Sequence, residues 1–369
     1  MAIVNPSSFK IILLLVAYGF KFSEAAGNLA ASFVFGDSLV DAGNNNYIFT
    51  LSKANIAPNG CDFKPSAGQP SGRYTNGRII PDIIADELGQ KIYAPPFLAP
   101  SAKGSAILHG VNYASGGSGI LNSTGRIFVG RLSLEVQVNN FAETRKELIG
   151  MLGAEKTKEL LGNSAFSVTM GANDFINNYL VPIASTIQRA LVSPESFIDQ
   201  IMTTYRVQLM RLYELGARKI IVANLGPIGC IPYERTLNRV EEDQCAAMPN
   251  ELAKMFNKRL RPLILELNAN CKGATFVYAN TYDMVEDLII NYAKYGFVSS
   301  NVACCGRGGQ FRGVIPCGPT SSECVDHGKY VFWDPYHPSE AANLVVAKRL
   351  LDGGPNDVFP VNVRKLFHT

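Results

Sequence analysis

The chain has four histidines, so the search for a general base is short. His337 stands three residues after Asp334 in Asp334-Pro335-Tyr336-His337-Pro338-Ser339, at the mouth of a helical pattern where both side chains can point the same way. A serine hydroxyl is a weak nucleophile until such a base takes its proton, and the base needs a carboxylate to hold it in one tautomer. His337 is therefore the candidate base and Asp334 its orienting partner. His109, His327 and His368 have no carboxylate in an equally suggestive turn. Asp326 adjoins His327, but sequence neighbours do not normally face each other on a helix or strand. The serine in question is Ser38, which follows the apolar run Phe33-Val34-Phe35-Gly36. Attack on an ester also requires donors for the developing oxyanion, each worth about 10²–10³ in rate. Gly116 could lend a backbone N–H and Asn173 its side-chain amide. Each residue has a structural reading as well: Ser38 as a helix N-cap, Asp334-x-x-His337 as a turn, Gly116 and Asn173 as turn formers.

These residues lie far apart in sequence, so the elements between them must bring them together. Phe33 to Gly36 reads as a buried strand ending at Ser38. Val111 to Ala114 reads as a second, ending in Ser115-Gly116-Gly117-Ser118-Gly119, and Ala165 to Met170 as a third, ending in Gly171-Ala172-Asn173-Asp174. Strand carboxyl ends are where open α/β sheets bind ligands. Lys219 to Ala223 and Thr275 to Tyr278 are two further strands. Helical spacing runs over Ile79 to Leu88, Leu132 to Leu148, Ser193 to Leu215, Pro249 to Asn270 and Met284 to Tyr292. A last helix is expected from Ser339 to about Leu351, with Pro338 near its first position. This alternation predicts a parallel sheet covered by helices on both faces. No repeat or composition shift marks a boundary, and Ser38 and His337 sit near opposite ends of the chain. Residues 26–369 are expected to form one domain.

Residues 1–25 resemble a secretory signal, with Lys10, the apolar run Ile11 to Phe20 and a small-x-small site at Ser23-Glu24-Ala25. That run is shorter than the about 18 apolar residues a membrane-spanning helix needs, so no stable membrane anchor is expected. The net charge of +3 makes no electrostatic case for nucleic acid. Lys258-Arg259-Leu260-Arg261 reads as a solvated helix face. Eight cysteines in an exported chain suggest disulfide staples on long loops, with Cys304, Cys305, Cys317 and Cys324 in one segment and Cys230 and Cys245 in another. A zinc site is disfavoured, since no Cys-x-x-Cys occurs and the compartment is oxidising. Asn122-Ser123-Thr124 is a glycosylation sequon and marks Asn122 as a candidate modified residue.

Four blocks together, Gly36-Asp37-Ser38-Leu39, Gly116 in Asn112-Tyr113-Ala114-Ser115-Gly116, Gly171-Ala172-Asn173-Asp174 and Asp334-Pro335-Tyr336-His337-Pro338, resemble those of the GDSL esterase/lipase family, also called SGNH hydrolases. The resemblance runs from residue 33 to about 351. Gly43-Asn44-Asn45-Asn46 and Val331-Phe332-Trp333-Asp334 make the chain similar to the plant secreted branch. The resemblance implies a flavodoxin-like three-layer α/β/α sandwich. It also implies Ser38 as nucleophile and as oxyanion donor through its own amide, with Gly116 and Asn173 as the other donors, His337 as base and Asp334 as its partner. It implies a secreted ester hydrolase with no metal or organic cofactor, acting on a small ester, a lipid or an acylated polysaccharide. No Gly-x-Ser-x-Gly occurs, which counts against an α/β-hydrolase elbow; Ser118 comes closest, with Ile120 where the second glycine would stand. Acyl transfer would use the same triad. A secreted binding protein would not need Ser38, Asn173, Asp334 and His337 together.

Overall fold

The computed structural model describes residues 29–182 and 185–368; the candidate secretory signal at 1–25 lies outside the described residues. Six strands form one sheet in the order β2-β1-β3-β4-β5-β6. They are β1 Ser32–Gly36, β2 Gly110–Asn112, β3 Ala165–Thr169, β4 Lys219–Ala223, β5 Thr275–Ala279 and β6 Val358–Phe359. The first five run parallel, with Phe33 opposite both Val111 and Phe166, while β6 pairs antiparallel with β5. Successive side chains of a strand point to opposite faces, which divides the strand residues between two cores. Phe33, Phe35, Phe166, Ile220, Val222 and Phe276 pack on one side against α2 Leu134–Leu152, α3 Pro194–Glu214 and α4 Ala247–Asn270. Ile221, Ala223, Val277 and Ala279 pack on the other against α1 Ile80–Glu87, α5 Thr281–Ile290 and α6 Glu340–Asp352. The result is a three-layer α/β/α fold with a mostly parallel central sheet.

Local sequence explains where the helices begin. Ser193 accepts the Ser196 amide ahead of Pro194, and Ser339 accepts the Ala342 amide at the start of α6; such caps contribute about 1 kcal/mol each. Pro338 precedes the cap rather than occupying the first helical position, because Ser339 takes the cap itself. The periodicity reading left out a helix at Ala154–Gly162, the short helices Thr186–Leu191, Pro232–Leu237 and Val363–Phe367, and the two-residue strand β6. The first follows α2 directly across Gly153, which is held at φ 81, beyond the Leu148 at which the helical spacing ends.

Three disulfides close loops at Cys230–Cys245, Cys304–Cys324 and Cys305–Cys317. Cys61 and Cys271 are free thiols. Among the described residues, no helix is long and apolar enough to cross a membrane.

Candidate active site

The turn after β1 depends on a missing side chain. A Cβ on Gly36 would lie 2.4 Å from both the Thr169 carbonyl oxygen and Val40 Cγ2, so only glycine lets β1 end against β3. The buried Gln137 of α2 clamps that end, its Oε1 accepting the Gly36 amide at 2.9 Å and its Nε2 donating to the Gly36 carbonyl at 2.8 Å. Asp37 Oδ1 accepts the Leu39 amide at 3.0 Å and shapes the next bend. Burial pushes the Asp37 carboxyl up to about 7, against the opposing pull of the Leu39 amide and His337. Ser38 rides on this bend, and its own amide donates to no protein acceptor among the described residues.

Ser38 Oγ lies 2.7 Å from His337 Nε2. On the far side of the ring, Nδ1 lies 2.8 Å from both carboxylate oxygens of Asp334. Asp334 Oδ1 also accepts the amides of Tyr336 and His337, each at 2.8 Å, so the carboxylate is fixed by its own turn. That turn is anchored beneath by Trp333, which is fully buried and donates from Nε1 to Asn59 Oδ1 at 2.9 Å. The Cys-rich segment braces it too, with the amides of Cys304 and Cys305 donating to the carbonyls of Phe332 and Trp333. Tyr74 lies against the imidazole face, ring centres 5.1 Å apart.

Asn173 and Gly116 come to the same end of the sheet in different conditions. Asn173 lines the cavity beside Ser38, and its Nδ2 donates to the Ser118 carbonyl at 3.0 Å. The Gly116 amide donates to Asp41 Oδ2 at 3.0 Å, and it is the next residue, Gly117, that lines the cavity. Two buried carboxylates that sequence alone did not single out hold these loops. Asp41 Oδ1 accepts the amides of Gly43 and Asn44. Asp174 takes the amides of Ile120 and Leu121 and the Thr124 hydroxyl. Burial raises both carboxyls to about 6, with those amides pulling the other way. No local pattern announces such residues, since an aspartate in a glycine-rich loop is usually exposed.

The other histidine beside an acid behaves differently. His327 Nδ1 pairs with Asp62 Oδ2 at 2.7 Å, near the Cys61 thiol, while Asp326 turns to accept the Gly328 amide. Asn122 is exposed.

Ser38, His337 and Asp334 line a cavity of about 310 Å³, within the usual size of small-molecule sites. Its walls are mainly apolar, with Ile176, Leu225, Ile228 and Val285 among them. A hydroxyl, an imidazole and a carboxylate in line, beside a side-chain amide and a free backbone N–H, suit transfer of an acyl group from an ester.

Residues 33–350 match the GDSL-like lipase/acylhydrolase family. The chain is 57% identical to GDSL esterase/lipase At2g23540 of Arabidopsis thaliana, over 94% of this chain and 90% of that protein. It is 53% identical to GDSL esterase/lipase At4g16230 of the same plant, over 97% of this chain and 96% of that protein. With GDSL esterase/lipase At3g50400 the identity is 52%, over 97% and 98% of the two chains. The chain therefore belongs to the GDSL lipase/acylhydrolase family and is a carboxylic ester hydrolase.

Proposed function

We propose that the chain is a secreted serine hydrolase that cleaves esters through an acyl-enzyme on Ser38. The observation that carries this reading is the unbroken line from Ser38 Oγ to His337 Nε2 at 2.7 Å and from His337 Nδ1 to Asp334 at 2.8 Å. As Ser38 Oγ attacks the ester carbonyl, His337 Nε2 takes its proton and Asp334 stabilises the resulting imidazolium. The carbonyl oxygen becomes an oxyanion facing the Ser38 amide and the Asn173 side-chain amide. The Gly116 amide would be shared with Asp41, which makes it the weaker third donor. When the tetrahedral intermediate collapses, His337 returns the proton to the departing alkoxide. Water then repeats the sequence on the acyl-enzyme, its proton passing to His337 and on to Ser38 Oγ, and the carboxylic acid leaves. No step draws on a metal or organic cofactor.

Residues 26–369 act as one domain in this reading, because the nucleophile and the base come from its two ends. Export would begin with residues 1–25, the three disulfides suit an oxidising compartment, and exposed Asn122 is the proposed glycan site. Purified protein starting at residue 26 is expected to hydrolyse p-nitrophenyl esters between acetate and palmitate, with Ser38→Ala lowering kcat by about 10³-fold or more. A folded wild-type protein inactive on every ester, or an unchanged Ser38→Ala variant, would overturn the proposal.

A further inference from the structure

Two neighbouring loops at the mouth of the cavity carry an apolar patch. Phe49 is 82% exposed, Leu51 70%, Val129 57%, and Tyr47 and Ile127 50% each. The loops are tied together by the Leu51 amide and the Thr50 hydroxyl, both donating to the Phe128 carbonyl. Gly130 packs so closely on the Phe49 carbonyl that a Cβ there would lie 2.1 Å from its oxygen. Leu51 and Phe128 also line the cavity, so the patch continues into it. Clustered exposed side chains of this size mark an interaction surface.

The backbone singles out the same place. Val129 sits at φ 70 and ψ −75, with the Gly130 amide donating to the Phe128 carbonyl at 3.0 Å. This is a γ-turn of the strained hand, and a β-branched residue rarely adopts it. Burial does not compensate, because the side chain faces solvent; strain of this kind is characteristic of functional segments. The cavity lining also includes the apolar side chains of Ile231, of Val285 and Leu288 on α5, and of Val346 on α6. Lys53 is the one Lys or Arg in the lining, and its ammonium is taken by the carbonyls of Asn45, Asn46 and Ile48. No free cation among the lining residues therefore waits for an anionic group.

We propose that the 47–51 and 127–129 loops form a docking rim that seats on an aggregated surface of neutral acyl lipid. A long aliphatic ester then passes from that surface into the cavity and lays its chain along Ile231, Val285, Leu288 and Val346. The turnover part rests on the hydrolase reading above; docking itself requires no chemistry.

Ser38→Ala protein mixed with triolein droplets coated in phosphatidylcholine separates the two. It is expected to float with the droplets, and adding Phe49→Ser with Val129→Ser should cut the floating fraction by about tenfold, since interfacial binding scales with buried apolar area. With Ser38 restored, the same pair should hydrolyse dissolved p-nitrophenyl butyrate within about twofold of wild type. It should lose about tenfold on p-nitrophenyl palmitate carried in those droplets. Val285→Phe should leave flotation unchanged and lower the palmitate-to-butyrate ratio by a similar factor. Circular dichroism confirms that each variant is folded. Equal flotation with and without the rim substitutions, or an equal fall on both esters, would overturn the proposal. A failed hydrolase reading looks different: wild type would not turn over dissolved butyrate, while flotation would still respond to the rim.

Discussion

Asp334 does two jobs with one oxygen. Its Oδ1 accepts two amides of its own turn and also faces His337 Nδ1. An asparagine in its place keeps acceptors for those amides but stabilises the wrong imidazole tautomer. Asp334→Asn is therefore expected to keep its melting temperature while kcat falls by about 10³–10⁴-fold; a thermal melt beside steady-state kinetics checks both. Asn173→Ala removes a proposed oxyanion donor, and kcat should fall by about 10²-fold or more with KM little changed. A fall confined to KM would instead place Asn173 in ground-state binding. The approach of Ser38, His337 and Asp334 to one another was legible because serine chemistry demands a base and a carboxylate, and only one of the four histidines has its acid three residues away in a turn. Asp41, Asp174 and Gln137 were not legible. Each owes its place to burial against a distant loop, such as Gln137 on Gly36, and a tertiary contact leaves no local pattern. The Gly116 amide teaches the same lesson, since nothing in Ser115-Gly116-Gly117 says that Asp41 will occupy it.

The elements act by aiming turns. β1, β2 and β3 are adjacent in the sheet order, so the loops that follow them open on one end of the sheet and bring Ser38, Gly116 and Asn173 together. The fourth loop, 334–337, comes from a long segment with little regular structure, where the disulfides matter most. Cys304–Cys324 closes a loop of sequence separation 20, and the Cys324 amide donates to the Cys304 carbonyl. Replacing both with serine is expected to cost about 2–4 kcal/mol of stability. It should also lower kcat/KM more than the melting shift explains, because Cys304 and Cys305 hold the carbonyls just before Asp334. Parallel denaturation and kinetics test this; a stability loss with unchanged kinetics would make the staple purely structural. The strands and long helices could be read because their apolar spacing and caps are local signals, as at Ser193-Pro194 and Ser339. β6 could not, since two residues carry no period and Val358 gains its place from pairing with Ala279.

Across the whole molecule, four buried carboxyls set the response to pH. Burial raises Asp37 from 3.8 and Glu234 from 4.5 to about 7, and Asp41 and Asp174 from 3.8 to about 6. The folded protein therefore holds more protons than the unfolded chain between those values, and each group's contribution is full below its unfolded pKa and lost as pH rises through the folded one. Thermal unfolding should show the melting temperature falling from pH 5 to pH 8, a window about where these groups titrate, and Asp37→Asn should reduce the fall. Asp62, Asp287 and Asp352 are lowered instead, and their contribution is lost only in acid, below about pH 4. A melting temperature that rises from pH 5 to pH 8 would contradict the burial of Asp37. The same whole-chain closure brings residue 337 back onto residue 38, and the most direct test of that meeting is to trap the covalent intermediate. Wild-type protein is mixed with p-nitrophenyl acetate or a fluorophosphonate, quenched in acid, and analysed by intact-mass and peptide mass spectrometry. The expected result is a single adduct on the peptide containing Ser38, absent in Ser38→Ala and formed far more slowly in His337→Ala. Turnover with no adduct, or an adduct on another residue such as Ser118, would contradict it.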